Sequence, residues 1–171
     1  FSVRFIPVDC DKEFGDLPRL KHISRDMYSR FLIPDILPDC EKAIYSDVDV
    51  AFVDDIKKLY NEDLGDKIIG AVPAYGKDLT DEDCFCSGLL LINCKKWNEQ
   101  RLGTKVRQTA EELFLQHRLR LPDMDILNMM FYHHYAPLDR VYCLIPKYVT
   151  KYQDNCAVIL HYSGGGLNKP W

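Results

Sequence analysis

Two aspartates that could bind a cation, Asp47 and Asp49, lie two residues apart directly after a short apolar run. In extended backbone, residues i and i+2 point to the same side of a strand. Both carboxylates could therefore aim at one point if Val48 keeps β geometry. Converging carboxylates repel each other unless a cation lies between them. Mg²⁺ and Mn²⁺ prefer such oxygen ligands, and a metal there could bridge a diphosphate and stabilise it as a leaving group.

Solvated turn aspartates are the alternative interpretation of this pair, because the pattern D-x-D is common in proteins. The position of the pair at the end of a predicted buried strand favours a site instead. The next two aspartates, Asp54 and Asp55, precede a predicted short helix. Aspartate at that position caps the helix N-terminus and suits the helix dipole. We therefore interpret Asp54 and Asp55 as structural.

A second group of polar residues lies in the segment HYSGGGLNKPW. His161 ends an apolar run, so its imidazole could provide a third, nitrogen ligand to the metal. Three consecutive glycines that begin at Gly164 leave backbone N–H groups open to an anion. Lys169 offers a point charge for a phosphate. An ordinary surface turn after an edge strand is the alternative interpretation of this loop.

The composition indicates one globular domain and argues against nucleic acid as a partner. The chain has 171 residues, 47% of them hydrophobic, and a formal net charge of −4. Proteins that bind phosphate backbones are usually basic. Seven cysteines without a CxxC pair favour free thiols in a reducing compartment over a disulfide framework. No apolar run approaches the ~18 residues of a membrane span, and no signal peptide is visible.

Strands alternate with helices along the chain, which predicts an α/β fold with a mostly parallel sheet flanked by helices. The predicted strands cover residues 3–8, 42–47, 67–74, 88–94 and 157–161. In such sheets, ligands bind beyond the carboxyl ends of the strands. Because Asp47, Asp49 and His161 all follow apolar runs, this topology would let them meet at one edge.

Four helices are predicted between these strands. The first is capped by Ser24 and ends at Pro34 and Pro38, and the second covers residues 54–61. Residues 104–118 place an apolar face at helical spacing. The last helix is capped by Asp123. The expected inward residues of the last two helices are Val106, Ala110, Leu113 and Phe114, then Ile126, Leu127 and Met130.

Five segments, in consistent order, resemble glycosyltransferase family 8, whose members are retaining enzymes with a GT-A fold that use nucleotide sugars. The segments are LKHISRDMYSRFLIPDIL, CEKAIYSDVDVAFVDDIKKLYNEDLGDKIIGAV, FCSGLLLINCKKW, LPDMDILNMMF and HYSGGGLNKPW. They cover nearly the whole chain and are most similar to the bacterial galactosyl- and glucosyltransferases of lipopolysaccharide synthesis. The resemblance implies a GT-A type nucleotide-diphospho-sugar transferase fold.

The resemblance also implies roles for individual residues. It implies a Mn²⁺ (or Mg²⁺) ion held by Asp47, Asp49 and His161. Nine residues are expected to contact the nucleotide or line the donor pocket: His22, Arg30, the Val48 backbone, Cys86, Ser87, Gly88, Met124, Gly164 and Lys169. Asp123 and Asp125 flank position 124 and are the candidate catalytic carboxylates, although Asp123 is also a natural helix cap.

The chain departs from the family pattern beside the expected donor sugar. The family's asparagine is Cys86 here, which removes an amide partner for the sugar. The family's glutamine is Met124, which serves poorly as a nucleophile or stabiliser. The family's acidic residue after the I-G-A strand falls near Ala74, and the loop between His161 and Lys169 has two extra residues. Without a nucleophile at position 124, we favour front-face attack over double displacement.

The family's N-terminal strand is absent from the chain. We therefore expect residues 1–171 to be a single GT-A-like catalytic domain, truncated at the N-terminus and at the C-terminus. The expected function is metal-dependent, retaining transfer of a hexose from a UDP-sugar to a saccharide or glycolipid acceptor, in lipopolysaccharide or cell-surface glycan synthesis. The expected location is cytoplasmic, with peripheral binding to the inner face of the membrane through the missing parts.

Two alternatives remain open on the sequence. A catalytically degenerate module of the same fold would bind UDP and metal without turnover, as Met124 and Cys86 suggest. A phosphatase of the haloacid dehalogenase type also ends a strand with D-x-D and uses the first aspartate as nucleophile. That pattern normally has Thr or Val two residues after the second aspartate, where this chain has Ala51. A purely structural α/β domain would leave the five ordered segments unexplained.

Overall fold

A four-stranded sheet lies at the centre of the computed structural model, which describes residues 2–17, 24–74, 84–146, 157–163 and 169–170. Its strands, in spatial order, are β1 (Lys42–Ser46), β4 (Phe85–Asn93), β3 (Ile69–Pro73) and β5 (Ala136–Pro137). A separate pair is formed by β2 (Val50–Phe52) and β6 (Ile159–His161). The sequence did not reveal β2 and β5, which are only three and two residues long.

The prediction of a mostly parallel sheet is wrong. Strand β4 is antiparallel to both β1 and β3, and β2 is antiparallel to β6. Among the strands of the described residues, the one parallel pairing joins β3 to β5. That prediction rested on the alternation of strands with helices along the chain, and this alternation does not by itself fix the direction of each strand.

Both faces of β4 are covered. Leu90 and Ile92 belong to a large core that the helices complete on one face of the sheet. Leu89 and Leu91 belong to a second core on the other face, together with residues that include Ile159 of β6. This second core fixes the β2–β6 pair against the central sheet, so the end of β1 and the end of β6 come close together.

The helices that cover the large core are α4 (Cys94–Glu99), α5 (Leu102–Leu115) and α6 (Pro122–Phe131). Helix α5 buries Leu102, Val106, Ala110 and Leu113. The expected inward position of Phe114 is wrong, because its side chain is 56% exposed and helical spacing carries the buried face from Ala110 to Leu113. The inner face of α6 holds Ile126 and Leu127 fully buried and Met130 partly buried, as predicted.

The expected strand over residues 3–8 is also wrong. Residues 2–9 have no regular structure, and Val3 and Phe5 are 69% and 92% exposed. Loose alternation alone does not make a strand without a neighbouring strand to pair with, and no described strand lies beside this segment. Helix α1 (Cys10–Glu13) follows, where the Asp9 carboxylate accepts a hydrogen bond from the Lys12 N–H.

The first predicted helix does begin at Ser24, whose hydroxyl accepts a hydrogen bond from the Asp26 N–H. It is a 3₁₀ helix, Arg25–Leu32, and it continues into α2 (Ile33–Ile36). Pro34 therefore does not end it. Proline lies there in the first turn of α2, where its missing N–H costs no helical hydrogen bond.

The short helix after β2, α3, covers Lys57–Asn61. The Asp55 carboxylate accepts a hydrogen bond from the Lys57 N–H, which confirms that Asp55 is structural. The Asp54 carboxylate accepts a hydrogen bond from the Asp55 N–H. A short 3₁₀ helix, Arg140–Tyr142, precedes the segment that leads to β6. Among the described helices, none combines the length and the apolar character that crossing a membrane requires.

Candidate active site

The turn between β1 and β2 carries the two aspartates of the D-x-D sequence. The Asp47 N–H donates to the Gly88 carbonyl at 2.9 Å, and the Asp49 carbonyl accepts from the Tyr162 N–H at 2.9 Å. These bonds fix the turn to β4 on one side and to the end of β6 on the other. The Val48 side chain is fully exposed. The carboxylates of Asp47 and Asp49 both lie near His161.

His161 closes the site as the last residue of β6. Its side chain is buried, and its N–H donates to the Leu144 carbonyl at 2.8 Å. Its Nε2 lies 3.3 Å from Asp49 Oδ1 and 3.8 Å from Asp47 Oδ2. The ligand atoms of the three residues all lie within 4.8 Å of one another. The structure therefore brings together the three residues that the topology argument predicted would meet.

Gly88 makes this approach possible. A Cβ atom built at position 88 would lie 2.2 Å from Cε1 of His161 and 2.9 Å from Asp47 Oδ2. Any side chain there would push the imidazole away from the aspartates. Gly88 lines the cleft as expected of a donor-pocket residue, but the structure shows a more specific reason for a glycine at that position.

Each aspartate uses one oxygen for a protein contact and turns the other toward His161. Asp47 Oδ1 accepts from Arg30 Nη2 at 2.9 Å and from the Tyr45 hydroxyl at 2.5 Å. Asp49 Oδ2 accepts from Lys169 Nζ at 3.1 Å. Asp47 Oδ2, Asp49 Oδ1 and His161 Nε2 then face one another as two oxygens and one nitrogen. This donor set fits a divalent cation that takes oxygen and imidazole ligands.

Arg30 connects the aspartate pair to a second carboxylate, Asp123. The guanidinium is 5% exposed. It donates to the Met27 and Ser87 carbonyls, pairs with Asp47, and places Nη1 2.7 Å from Asp123 Oδ2. The resemblance implied that Arg30 reaches the donor's diphosphate or sugar. In this structure it bridges two carboxylates on the wall of the cleft.

Asp123 and Asp125 lie in the first turn of α6 but face different surroundings. Asp123 Oδ2 accepts from the Ser87 hydroxyl at 3.0 Å. Burial raises the pKa of the Asp123 carboxyl, against the opposing effects of Arg30 and Ser87. Asp125 Oδ2 accepts from the N–H groups of Arg120 and Leu121. The expected cap at Asp123 is therefore wrong, because the carboxylate that satisfies backbone groups at the start of α6 is that of Asp125.

A cleft of about 440 Å³ joins these groups. Nine of the residues singled out in the sequence line it: Arg30, Asp47, Asp49, Cys86, Ser87, Gly88, Asp123, Met124 and His161. Lys169 contacts the site through Asp49. Asp125, the second candidate catalytic carboxylate, lines a different pocket with Arg118 and Tyr132. The candidate residues His22 and Gly164 lie outside the described residues.

Sequence reasoning missed three residues that shape the site. Tyr45 lies in β1, two residues before Asp47, which directly follows the strand, so alternation along β1 could have indicated it. Asn128 is buried and bonds the N–H and carbonyl of Phe85 and the Met124 carbonyl, which anchors the start of β4 to α6. Cys143 lies far from the other site residues in sequence, and no local signal could have indicated it.

Cys143 and Cys86 lie against the remaining nitrogen of His161. The Nδ1 atom is 3.6 Å from Cys86 Sγ and 3.5 Å from Cys143 Sγ. A hydrogen bond from Cys143 lowers the pKa of the Cys86 thiol well below its ordinary value, although burial opposes this shift. Burial disfavours the imidazolium, but Cys86, Asp49 and Asp47 outweigh burial and raise the pKa of His161. None of the six cysteines that the structure describes is in a disulfide.

Comparisons with known sequences place the chain among the glycosyltransferases. A sequence profile described as glycosyl transferase family 8 matches residues 3–171. The lipopolysaccharide 1,2-glucosyltransferase of Escherichia coli is 29% identical over 153 residues, which cover 77% of this chain and 44% of that protein. The general stress protein A of Bacillus subtilis (strain 168) is 27% identical over 194 residues, covering 99% and 66%. The chain thus spans between 44% and 66% of the length of these relatives.

Solved structures that resemble the chain are also glycosyltransferases. The galactosyltransferase LgtC, in complex with donor and acceptor sugar analogues, superposes with a TM-score of 0.79 at 27% identity, covering 98% of this chain and 68% of that one. The apo form of the glycosyltransferase GlyE of Streptococcus pneumoniae TIGR4 superposes with a TM-score of 0.70 at 27% identity, covering 85% and 38%. The expected GT-A fold is thereby confirmed.

Proposed function

Because the chain belongs to glycosyltransferase family 8, we propose that it transfers a hexose from a UDP-sugar to a saccharide or lipid-linked saccharide acceptor, with retention of configuration. The similar proteins named for lipopolysaccharide or galactosyl transfer support a role in lipopolysaccharide or cell-surface glycan synthesis. A lipid-linked acceptor would place the reaction at the inner face of the membrane, in the cytoplasm.

The observation that carries this proposal is that each aspartate has one carboxylate oxygen held by protein groups and the other directed at His161. Arg30 and Tyr45 hold one oxygen of Asp47, and Lys169 holds one oxygen of Asp49. The other two oxygens and His161 Nε2 converge. These three atoms would hold Mn²⁺ or Mg²⁺, which supplies positive charge to the departing diphosphate when it is bound. Solvated turn aspartates would not be held by three protein groups in this way.

The residues around the converging atoms support a nucleotide-sugar donor. Lys169 brings its ammonium group to the edge of the aspartate pair, where it could meet a phosphate. Ser87 and Asp123 form a hydrogen-bonded polar pair on the opposite wall of the cleft. Such a pair could bind sugar hydroxyl groups. The Val48 side chain is exposed at the turn, and we expect the Val48 backbone to contact the nucleotide.

Front-face transfer is the mechanism we propose for these side chains. Met124 lines the cleft at the position between Asp123 and Asp125 and offers no nucleophilic group. The Asp123 carboxylate is already engaged by Arg30 and Ser87. We expect Asp123 to position the sugar through hydrogen bonds. The acceptor's proton would then pass to the leaving phosphate, so no enzyme carboxylate has to form a covalent intermediate.

A binding module without turnover is the second candidate function. Its support is the replacement of two amides of the family pattern by Cys86 and Met124, both of which line the cleft. The match to glycosyltransferase family 8 argues against the alternative of a phosphatase of the haloacid dehalogenase type.

The deciding experiment is calorimetric titration of UDP into the full-length protein, with and without Mn²⁺. The test variant is Asp49→Asn. Asp55→Asn is the matched control, because it removes a charge from the same aspartate-rich stretch and the asparagine amide oxygen can still accept the Lys57 N–H. We expect UDP binding that requires Mn²⁺ and weakens at least tenfold in Asp49→Asn, with Asp55→Asn unchanged. Equal binding in both variants, or without metal, would overturn the proposed site.

Turnover separates the two candidate functions. UDP release from UDP-glucose or UDP-galactose is measured with a saccharide acceptor, and the anomeric configuration of the product is read by NMR. Product with retained configuration supports the transferase. Metal-dependent UDP binding without any UDP release, across a panel of UDP-sugars and acceptors, supports the binding module instead.

A further inference from the structure

His161 has a second set of possible metal ligands on the ring nitrogen that faces away from the aspartates. Its Nδ1 lies 3.6 Å from Cys86 Sγ and 3.5 Å from Cys143 Sγ. The two sulfur atoms are 3.8 Å apart. The three atoms thus form a nearly equilateral triangle, separate from the two carboxylate oxygens near Nε2.

These separations match those between the ligands of tetrahedral zinc. With Zn–S of about 2.3 Å and Zn–N of about 2.0 Å, tetrahedral angles place two sulfurs about 3.8 Å apart and a sulfur and a nitrogen about 3.5 Å apart. The observed triangle agrees with both values within about 0.1 Å. The separations between the three ligand atoms therefore already suit a zinc ion.

Two of the three ligands lie in strands, and the third lies next to a residue that pairs with one. Cys86 belongs to β4, and His161 ends β6 with its ring packed against Gly88. Cys143 immediately precedes Leu144, which pairs with Leu160 of β6. Cys143 and His161 are 1% and 4% exposed. Ligands on rigid, buried elements bind a metal without an ordering cost.

We propose that Cys86, Cys143 and Nδ1 of His161 form a zinc site with three protein ligands and a fourth position open to the cleft. Two thiolates and an imidazole select zinc over Mn²⁺ and Mg²⁺, which prefer oxygen. Binding displaces the thiol protons into the buffer, because thiolates are the ligands. All three residues line the cleft, so water or a bound substrate can reach the fourth position.

Zinc at this site would compete with the cation held by the aspartates. A neutral imidazole that binds metal through one nitrogen keeps its proton on the other. With zinc on Nδ1, Nε2 carries the proton and faces Asp49 Oδ1 as a donor. The aspartate pair then loses its nitrogen ligand. This antagonism rests on the proposed function, whereas the zinc site itself does not.

Cobalt(II) titration of the reduced full-length protein tests the site, because cobalt(II) substitutes for zinc and is visible by absorption. Thiolate ligation gives a charge-transfer band in the near ultraviolet, and tetrahedral geometry gives intense visible bands. The test variants are Cys143→Ser and Cys86→Asn, each checked for folding by circular dichroism. Cys40→Ser is the matched control, because Cys40 is an exposed cysteine outside the cluster.

We expect one equivalent of cobalt to give both bands in the wild type and in Cys40→Ser, and zinc to displace it. Each test variant should weaken cobalt binding at least tenfold and lose charge-transfer intensity. Octahedral cobalt without a sulfur band in the wild type would overturn the proposal, as would unchanged spectra in both test variants. If Cys143→Ser does not fold, Cys86→Asn alone decides.

Asp49→Asn separates this proposal from the proposed function. That variant should lose metal-dependent UDP binding but keep the cobalt–thiolate band, since Asp49 contacts the other ring nitrogen. Loss of the thiolate band in Asp49→Asn would show that the two ligand sets form one site and would overturn the separate zinc site. Saturating zinc should raise the Mn²⁺ concentration needed for UDP binding, and an unchanged requirement would overturn the antagonism.

Discussion

Two D-x-D sequences border the same cleft region, and the fold uses them in different ways. Asp47 and Asp49 flank Val48 at the end of a strand, and both approach His161. Asp123 and Asp125 begin helix α6, where Asp123 faces Arg30 and Ser87 while Asp125 bonds backbone N–H groups of its own chain segment. The same D-x-D pattern produces one shared site in the first case and two separate roles in the second.

Backbone conformation explains the difference. Asp47 and Asp49 lie in the turn between β1 and β2, so the β geometry expected at Val48 is wrong. Backbone hydrogen bonds to Gly88 and Tyr162 hold the turn with both carboxylates near His161. On a helix with 3.6 residues per turn, residues i and i+2 are rotated by about 200° around the axis and do not face each other. A D-x-D sequence therefore predicts a shared cation site only when the backbone around it brings both carboxylates to one side, as this turn does and a helix does not. At the start of a helix it predicts one carboxylate for capping and one for another surface.

Arg30 joins the two sequences, and its removal should have the largest effect. In Arg30→Met, the partly exposed carboxylates of Asp47 and Asp123 lose the buried guanidinium that they share. We expect the free energy of unfolding to fall by about 3 kcal/mol, because breaking a buried ion pair leaves uncompensated charge. Urea denaturation measures this change. The double variant Arg30→Met/Asp123→Asn should recover part of the loss, and a single-variant loss under about 1 kcal/mol would contradict the bridging role.

Gly88→Ala should break the first D-x-D site without touching the second. The added Cβ would lie 2.2 Å from His161 Cε1, so the imidazole must move away from the aspartates. We expect a loss of about 2 kcal/mol in the free energy of unfolding, as for other overpacked positions, and weaker Mn²⁺-dependent UDP binding by calorimetry. Gly103→Ala in α5 is the control, since the atom nearest to the added Cβ is Asp35 Oδ2, at 3.8 Å. Equal effects of both substitutions would show that crowding at His161 is not the cause.

Asp125→Ala should affect folding only. Its carboxylate accepts the Arg120 and Leu121 N–H groups, so the variant loses these hydrogen bonds and about 1 kcal/mol of unfolding free energy. Asp125→Asn should keep most of that stability, because the asparagine amide oxygen can accept the same N–H groups. Metal-dependent UDP binding, measured by calorimetry, should match the wild type. A loss of UDP binding in Asp125→Ala at unchanged stability would show that Asp125 belongs to the binding site.

The local sequence was sufficient to predict the ends of strands β1 and β6, because each combines a buried apolar run with a polar residue at its end. That signal located Asp47, Asp49 and His161. It could not give the direction of β4, since antiparallel and parallel strands that are buried on both faces have the same apolar composition. The helices followed their apolar spacing, except that Phe114 lies one position beyond the buried face.

The local sequence was insufficient wherever a contact depends on long-range packing. Cys86 and Cys143 are 57 residues apart, and they meet only because β4 and the segment before β6 pack together. Asp123 lines the cleft, and Asp125 does not, because Arg30 in the 3₁₀ helix reaches the Asp123 carboxylate. Neither position can be deduced from spacing within the α6 segment. Resemblance to the family indicated Arg30 but not its bridging contact.

The smallest effect is expected at Val48, the middle residue of the first D-x-D sequence. Its side chain is fully exposed, so Val48→Ala should change the free energy of unfolding by less than about 0.5 kcal/mol. Metal-dependent UDP binding should also stay within twofold, because only the backbone at this turn is proposed to contact the nucleotide. Calorimetry and urea denaturation of the same sample measure both values. A tenfold loss of UDP affinity would show that the exposed side chain itself packs on the nucleotide. The middle residues of both D-x-D sequences would then contribute side chains to the binding site, since the Met124 side chain lines the cleft.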